Sequence, residues 1–339
     1  MADLLKVEGL RTSFATQDGR IEAVKGVDFS LNQGETLGIV GESGSGKSVT
    51  SLSILRLLPS AGQISGGRVL FGGQDLASFD EKAMRQVRGA QISMIFQDPM
   101  SSLNPLIPVG KQVEEMLQIH WKTEKAAMKK RVLHLFERVR IPDPAARYRC
   151  YPHEFSGGMR QRVMIAMALA CEPSLLIADE PTTALDVTVQ DQILVLLREL
   201  RQETGMAVMM ISHDLGVIAE VCDRVLVMYG GMVMESAPID ALFENPMHPY
   251  TLGLMESIPA LDQDRSKELQ PIPGSPPDMS NPPKGCPFHP RCLHARSICA
   301  QQIPSSFAFE EGRTSRCWLL HPDAPSTSNP LKKGVSHGV

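Results

Sequence analysis

A glycine-rich turn at residues 41–48, Gly-Glu-Ser-Gly-Ser-Gly-Lys-Ser, constrains this chain more than any other stretch. The apolar run 36–40 precedes it and a helix-like run, 49–55, follows, so we expect a strand, a turn and a helix in succession. The turn fits the pattern G-x-x-x-x-G-K-[ST], in which backbone N–H groups surround a phosphate chain. It predicts that Lys47 contacts the β- and γ-phosphates and that the Ser48 hydroxyl contacts Mg²⁺. The predicted nucleotide-binding residues of the turn are Gly41, Ser43, Gly44, Ser45, Gly46, Lys47 and Ser48.

Length and composition limit the class of protein. The chain has 339 residues, 42% of them hydrophobic and 21% charged, which is enough to build a sizeable core in about two domains. A net charge of −4 gives no basic excess, so we expect no nucleic-acid partner. The apolar runs are too short to cross a bilayer, and the N-terminus lacks the basic and long apolar regions of a signal peptide. We therefore predict a cytoplasmic protein that reaches a membrane only through a partner.

Polar side chains follow two further apolar runs. Residues 175–178 are followed by Asp179 and Glu180, and residues 206–211 lead to His213. In a chain with a phosphate loop, a carboxylate at a strand end is the expected Mg²⁺ partner, and Glu180 is placed to polarise the attacking water. His213 is either a structural histidine or a member of the same crevice, where open α/β sheets bind ligands.

Two other features allow more than one interpretation from the residues alone, and a third segment has a single one. Residues 100–155 predict a mostly helical insert between strand-rich segments. The segment Ser156-Gly157-Gly158 opens another helix and reads either as a serine N-cap, which we favour in isolation, or as a second anion site. Phe14, in a turn-rich stretch at residues 13–20, is either a core aromatic or a platform for a flat ring.

In order and spacing, these segments resemble the nucleotide-binding subunit of an ABC transporter over about residues 1–250. The resemblance implies an α/β phosphate-loop cassette with a mixed central sheet, an antiparallel β subdomain and a helical subdomain. It implies that Phe14 stacks on adenine and that His213 holds the γ-phosphate. Gln97 would reach Mg²⁺ and the attacking water and sense the membrane subunit. The implied Mg²⁺ ligands are Ser48, Gln97 and Asp179, and the implied catalytic residues are Glu180, His213 and Gln97.

The resemblance also gives the second glycine-rich segment a role. Ser156, Gly157 and Gly158 match the signature motif, which contacts the γ-phosphate bound on a second subunit. Asp186, after Ala184-Leu185, matches the loop that communicates across that dimer. The family usually has Leu-Ser-Gly-Gly-Gln, whereas Phe155 and Met159 stand at the first and last positions here. We expect the γ-phosphate contact to survive and contacts of the glutamine side chain to be lost.

The tail carries a group of four cysteines, Cys286, Cys292, Cys299 and Cys317. In a reducing compartment such a group more often ligates a metal than forms disulfides. The spacing is not that of a zinc ribbon, and by itself it leaves a [4Fe–4S] cluster, zinc and no metal open. The tail is similar to the C-terminal region of dipeptide and oligopeptide importer ATPases. In dipeptide-type members these cysteines hold a [4Fe–4S] cluster, which the resemblance makes the favoured prediction here.

The predicted organisation is a nucleotide-binding domain at 1–245 with a helical subdomain at about 100–170, an extension at 246–325 and a disordered tail at 326–339. The resemblance implies an ATPase that powers uptake of dipeptides or oligopeptides from the cytoplasmic face of a bacterial inner membrane. Its partners would be two permease subunits, a second ATPase in a heterodimer and, indirectly, a periplasmic or extracellular solute-binding protein.

Two alternatives to peptide import are open. The same machinery imports nickel complexes, glutathione or other small solutes in related systems, and this chain does not separate them. The second alternative is a non-transport ABC ATPase that acts on DNA or the ribosome. It is disfavoured because DNA-repair members insert long coiled coils, whereas residues 47–156 contain no heptad run. Ribosome-linked members carry two cassettes, whereas this chain has one phosphate loop.

Overall fold

The computed structural model describes residues 3–17, 19–98, 102–121, 124–183, 185–257 and 271–324. Ala184 and the predicted tail at 326–339 lie outside them. The strands are β1 (Leu5–Thr16), β2 (Gly19–Leu31), β3 (Thr36–Val40), β4 (Gly62–Phe71), β5 (Gln74–Asp75), β6 (Ile92–Ile95), β7 (Leu175–Asp179), β8 (Ala207–Ser212), β9 (Arg224–Tyr229), β10 (Met232–Pro238), β11 (Phe307–Ala308) and β12 (Thr314–Ser315). The helices are α1 (Lys47–Ile54), α2 (Glu81–Val87), α3 (Val109–His120), α4 (Lys125–Arg138), α5 (Pro144–Arg147), α6 (Gly157–Ala168), α7 (Val187–Thr204), α8 (Leu215–Val221), α9 (Ile239–Glu244), α10 (Pro249–Glu256) and α11 (Ser297–Gln301).

The chain divides into two compact units, each assembled from separate stretches of sequence. The first contains Met1–Leu5, Leu31–Thr36 and Phe71–Ile211. The second contains Lys6–Ser30, Leu37–Leu70 and Ser212–Val339. Each unit is described below on its own.

A parallel sheet forms the centre of the first unit. Strand β7 pairs with β6 in the register Ile92↔Leu175 and with β8 in the register Leu175↔Ala207. Both β7 and β8 are buried along their whole length, as expected for parallel strands covered on both faces. Helices α3 to α6 form the helical part of this unit, in which α4 buries Val132, Leu135 and Phe136. The carboxyl end of β7 carries Asp179.

The second unit combines parallel and antiparallel pairing. Strand β9 pairs parallel with β3, from Leu37↔Arg224 to Val40↔Val227, and antiparallel with β10. A separate sheet has the strand order β2-β1-β4. The predicted α/β class with a mixed sheet and an antiparallel β region is therefore confirmed. The predicted loop at 13–20 is wrong for most of its length, since β1 continues to Thr16 and β2 begins at Gly19.

The described residues beyond 245 belong to this second unit and pack on its strands. Strand β12 pairs with β10 in the register Glu235↔Ser315. The rings of Tyr229, Tyr250 and Phe288 form a cluster with centroid distances of 4.6 to 5.3 Å. Such aromatic contacts each contribute about 1 kcal/mol beyond burial. The domain limits at 245 and 325 stay predictions. Across the described ranges, every helix falls short of the length and apolarity needed to cross a membrane.

Candidate nucleotide-binding and hydrolysis site

The phosphate loop joins β3 to α1 in the second unit. Gly44 and Gly46 have φ angles of +78° and +99°, which residues other than glycine rarely adopt. Gly46 has a second constraint, because a Cβ there would lie 2.7 Å from the carbonyl oxygen of Ala23. The glycines of the motif are thus required by backbone conformation and by close packing, and α1 begins immediately after them.

Lys47 and Ser45 make this loop suited to an anion. Lys47 is 5% exposed, and its Nζ donates hydrogen bonds to the carbonyl oxygens of Gly41 at 2.6 Å and Glu42 at 3.0 Å. The buried Ser45 Oγ has no hydrogen-bond partner among the described residues. A buried cation, an unpartnered hydroxyl and a helix N-terminus together fit a phosphate group.

The end of β7 in the first unit carries the predicted catalytic carboxylates. Asp179 is buried. Glu180 has a φ of +48° and its N–H donates to the carbonyl oxygen of Ile211 at 2.9 Å. A left-handed conformation costs a residue other than glycine roughly 1 kcal/mol, so the surrounding structure holds Glu180 in a strained backbone. Such strain is typical of functional positions.

Two donors orient the Glu180 carboxylate. Gln97 Nε2 donates to Glu180 Oε2 at 2.8 Å, and Thr183 Oγ1 donates to the same oxygen at 2.9 Å. The structure therefore brings together Gln97 and Glu180, which the resemblance placed in one site. Thr183 was not predicted as a site residue, because it belongs to none of the motifs in the sequence. The spacing of three residues from an acidic side chain was the available signal.

The oxygen donors predicted for Mg²⁺ suit that ion. Ser48 supplies a hydroxyl, Gln97 an amide oxygen and Asp179 a carboxylate, and Mg²⁺ is a hard cation that binds few protein oxygens together with substrate phosphates. Their chemistry fits, and their role as ligands stays a prediction.

The signature segment opens α6 in the first unit. Ser156 caps the helix by accepting a hydrogen bond from the Met159 N–H at 3.4 Å, and Ser156 and Gly157 are exposed. Phe155 is 3% exposed, with the Arg147 guanidinium 5.7 Å from its ring centroid, so this departure from the family pattern serves the core. Met159 contributes only its backbone to the cap.

The remaining predicted residues lie as follows. Asp186 caps α7 by accepting from the Val189 N–H at 3.0 Å, and exposed His213 follows β8. Phe14 is half-buried, and its ring packs on Gly62, where a Cβ would lie 2.7 Å from a ring carbon. These contacts explain the local structure at Asp186 and Phe14, while the functional roles of the three residues stay predictions.

The four tail cysteines are free thiols. Burial, together with a smaller effect of neighbouring thiols, raises the pKa of Cys286 and of Cys317 to about 12. Over the ranges that the structure describes, no group of three or more His, Cys, Asp or Glu side chains is arranged to hold a metal ion. The structure therefore does not support the metal-binding part of the predicted extension.

A phosphate loop between a buried strand and a helix, in a chain with an acidic pair at another strand end, defines the class of phosphate-loop nucleotide hydrolases. Residues 24–183 match the family described as "ABC transporter", and residues 234–299 match "Oligopeptide/dipeptide transporter, C-terminal region". The chain belongs to the ABC transporter family of ATPases.

Relatives and solved structures agree with that assignment. The oligopeptide transport ATP-binding protein OppD of Bacillus subtilis is 53% identical over 96% of this chain and 92% of its own length. The dipeptide transport ATP-binding protein DppD of the same organism is 52% identical over 94% and 95%. A dimeric, post-hydrolysis structure of the ATP-binding cassette MJ0796 bound to ADP and Pi has a TM-score of 0.63 at 28% identity, covering 69% of this chain and 98% of that one. The structure of cbiO1 from Clostridium perfringens has a TM-score of 0.62 at 30% identity, covering 72% and 91%.

Proposed function

We propose that this chain is the ATP-hydrolysing subunit of a membrane importer for dipeptides or oligopeptides. The observation that carries the hydrolytic part is the Glu180 carboxylate, held in a strained backbone and oriented by Gln97 and Thr183. The peptide part rests on the names of relatives that are 50% identical or more over nearly the whole chain.

The residues have separate tasks in this proposal. The phosphate loop binds the β- and γ-phosphates through backbone N–H groups, Lys47 and Ser45. Ser48, Asp179 and Gln97 are the residues that would hold Mg²⁺, and the ion would supply neutralisation of the phosphate charge. Glu180 takes up the proton of the attacking water, and His213 steadies the γ-phosphate. Phe14 stacks on adenine.

A second ATPase subunit completes the reaction. The exposed Ser156 and Gly157 present a helix N-terminus, which attracts the γ-phosphate bound on the other subunit. Asp186 lies in the loop that communicates between the two subunits in this proposal. Hydrolysis removes the phosphate that both subunits contact, so the pair opens and drives the permease. The favoured second subunit is a similar but different ATPase.

An apolar groove in the first unit is the proposed docking site for a short permease helix. It encloses about 150 Å³ and is lined by β6 and by three methionines, Met116, Met164 and Met167. Methionine-rich grooves adapt to apolar helix faces. Phe96, 42% exposed, also lines it and adjoins Gln97. A permease helix seated here would therefore act on the residue that orients Glu180. The chain would then lie on the cytoplasmic face of the bacterial inner membrane, with the solute-binding protein contacting only the permease.

The [4Fe–4S] cluster at the four tail cysteines also stays within this proposal. Its support is the resemblance of the tail alone, because the described residues show no group of three or more side chains arranged to hold a metal ion. Iron and acid-labile sulfide measured on anaerobically purified protein test it. We expect both in equal amounts, about four per chain, and zinc in place of iron would contradict it.

The test of the proposed function is co-purification with two permease subunits and the second ATPase, followed by ATPase assays with candidate solutes. We expect dipeptides or oligopeptides, delivered by the solute-binding protein, to stimulate hydrolysis. Stimulation by nickel complexes or glutathione, with none by peptides, would favour the alternative importer. A chain that hydrolyses ATP but binds no permease would contradict the importer assignment.

A further inference from the structure

We propose that Arg291 is a positioning residue for the phosphate loop, which pairs with Glu42 and thereby sets the affinity of the site for nucleotide. The inference rests on the proposed function of that loop. The pair joins the second residue of the loop to a residue of the C-terminal segment 249 positions away. No role was predicted for either side chain from the sequence.

Glu42 is held at its side chain and at both ends of its backbone. Its carboxylate oxygens accept from Arg291 Nη1 at 2.5 Å and Nη2 at 3.0 Å. Its N–H donates to the hydroxyl of Tyr250 at 2.9 Å, and its carbonyl oxygen accepts from Lys47 Nζ at 3.0 Å. Two of these three anchors come from residues beyond 245, so the C-terminal segment fixes the first turn of the loop.

The surroundings of Arg291 use all of its donors. The guanidinium side chain is 6% exposed. Besides Glu42 it donates to the Tyr229 hydroxyl at 3.2 Å and to the carbonyl oxygens of Pro273 at 2.8 Å and Ile272 at 3.3 Å. These five contacts match the five N–H groups of a guanidinium. The five acceptors fix the orientation of the guanidinium, and a lysine ammonium, which has three N–H donors, could not satisfy them.

The charge of Glu42 explains why the pair matters for nucleotide binding. Glu42 lies in the loop that is to receive a highly negative phosphate chain, and it is 24% exposed. An unpaired carboxylate in this loop would repel the phosphates and compete for Lys47. Arg291 neutralises it in a bidentate pair, which is the strongest form of such contacts. The effect should be larger for ATP than for ADP, because ATP carries one more phosphate.

The test compares the dissociation constants of ATP and ADP for the full chain and four variants. R291Q removes the charge but keeps a planar hydrogen-bonding group, so we expect it to disturb folding least. R291M removes both the charge and the hydrogen-bonding group. We expect each to weaken ATP binding about tenfold and ADP binding less; the loss is smaller than for truncation of a charge pair that contacts the ligand directly, because Arg291 acts on the nucleotide through Glu42. E42Q/R291M should bind ATP more tightly than R291M, because the repelling carboxylate is gone.

R313Q is the matched control. Arg313 lies in the same C-terminal segment and donates to the carbonyl oxygen of Asn245, away from the loop. We expect it to lower the melting temperature without changing the ATP dissociation constant. Unchanged ATP binding in R291Q, no rescue by E42Q, or an equal loss in R313Q would each overturn the inference. Failure of the wild-type chain to bind ATP would instead contradict the proposed function.

Discussion

The phosphate loop and the signature segment are both glycine-rich helix starts, yet the structure treats them differently. In the loop, Gly44 and Gly46 have left-handed φ angles, Lys47 is buried, and Glu42 is anchored from the C-terminal segment. At the signature, Ser156 forms an ordinary cap and is exposed. A preorganised, buried cradle binds a phosphate within its own chain, whereas an exposed cap can serve a phosphate carried by another chain. In the proposed function, the phosphate loop is the binding half of the site and the signature segment is its closing half.

The largest expected effect is on the chemical step, with nucleotide binding and closing of the dimer retained. Glu180→Gln keeps an acceptor for Gln97 and Thr183 but removes the proton acceptor. We expect ATP turnover of the assembled complex to fall about 10²–10⁴-fold, the range for loss of a general base, while ATP binding persists and the closed dimer accumulates. Thr183→Val, which leaves the base in place, is the control and should lose far less. Turnover near the wild-type rate in Glu180→Gln would remove Glu180 from the base role.

The next effect breaks the binding half. Lys47→Ala removes a buried cation whose hydrogen bonds to phosphate are charge-assisted, so ATP binding should weaken at least about tenfold. Calorimetry with ATP measures it, and circular dichroism checks that the fold is kept. Unaltered affinity would contradict the phosphate-loop assignment.

A pair of glycine substitutions sharpens the closing half. A Cβ on Gly158 would lie 2.6 Å from Cγ1 of Val189, whereas one on Gly157 would meet its nearest neighbour, Leu185, at 3.6 Å. Gly158→Ala should therefore lose about 1–3 kcal/mol of stability through overpacking, and Gly157→Ala should keep its melting temperature. We still expect Gly157→Ala to slow ATP turnover of the assembled complex, because the exposed helix start is altered. Wild-type turnover in Gly157→Ala would show that this position has no part in closing.

The last prediction concerns stability rather than turnover or nucleotide binding, at β10, the strand onto which the C-terminal segment packs. Burial raises the pKa of Glu235 to about 7, although the Met247 N–H donates to its Oε1 at 2.7 Å. Because this pKa is higher in the folded than in the unfolded chain, stability is lost as pH rises from about 4.5 to 7. Glu235→Gln keeps the acceptor and removes the charge.

We expect the stability of Glu235→Gln relative to the wild type to rise by about 2 kcal/mol between pH 5 and pH 8. Denaturant unfolding at the two pH values measures this difference. If the stability difference between the variant and the wild type did not change with pH, the pKa of Glu235 would be the same in the folded and the unfolded chain, which would contradict this prediction.

The sequence predicted the elements that carry local signals. The phosphate loop follows from its motif, and β7 and β8 follow from apolar runs that end in polar residues. The continuation of β1 to Thr16 was missed because Thr12 and Ser13 look like loop residues. In the fold both are buried, and the Thr12 hydroxyl hydrogen-bonds Ser53 at 2.7 Å.

The anchoring of the loop could not be predicted from local sequence. Glu42 and Arg291 come together through the packing of the C-terminal segment on β9 and β10. The phosphate-loop motif contains Glu42 but gives no indication of a partner near residue 291. Thr183 is a different case, because it lies three residues from Glu180 and that spacing is a local signal, whereas Glu42 and Arg291 are 249 positions apart. Long-range pairs of this kind follow from tertiary structure, whereas motifs record local backbone needs.

The most direct test of the two-halves account is the affinity of the isolated chain for ATP in Lys47→Ala and in Ser156→Arg. The account predicts that Ser156→Arg binds ATP within about twofold of the wild type, a difference under 0.5 kcal/mol, while Lys47→Ala loses most of its affinity. If Ser156→Arg weakened binding as much as Lys47→Ala, the signature segment would serve the nucleotide of its own chain, and the account would be wrong.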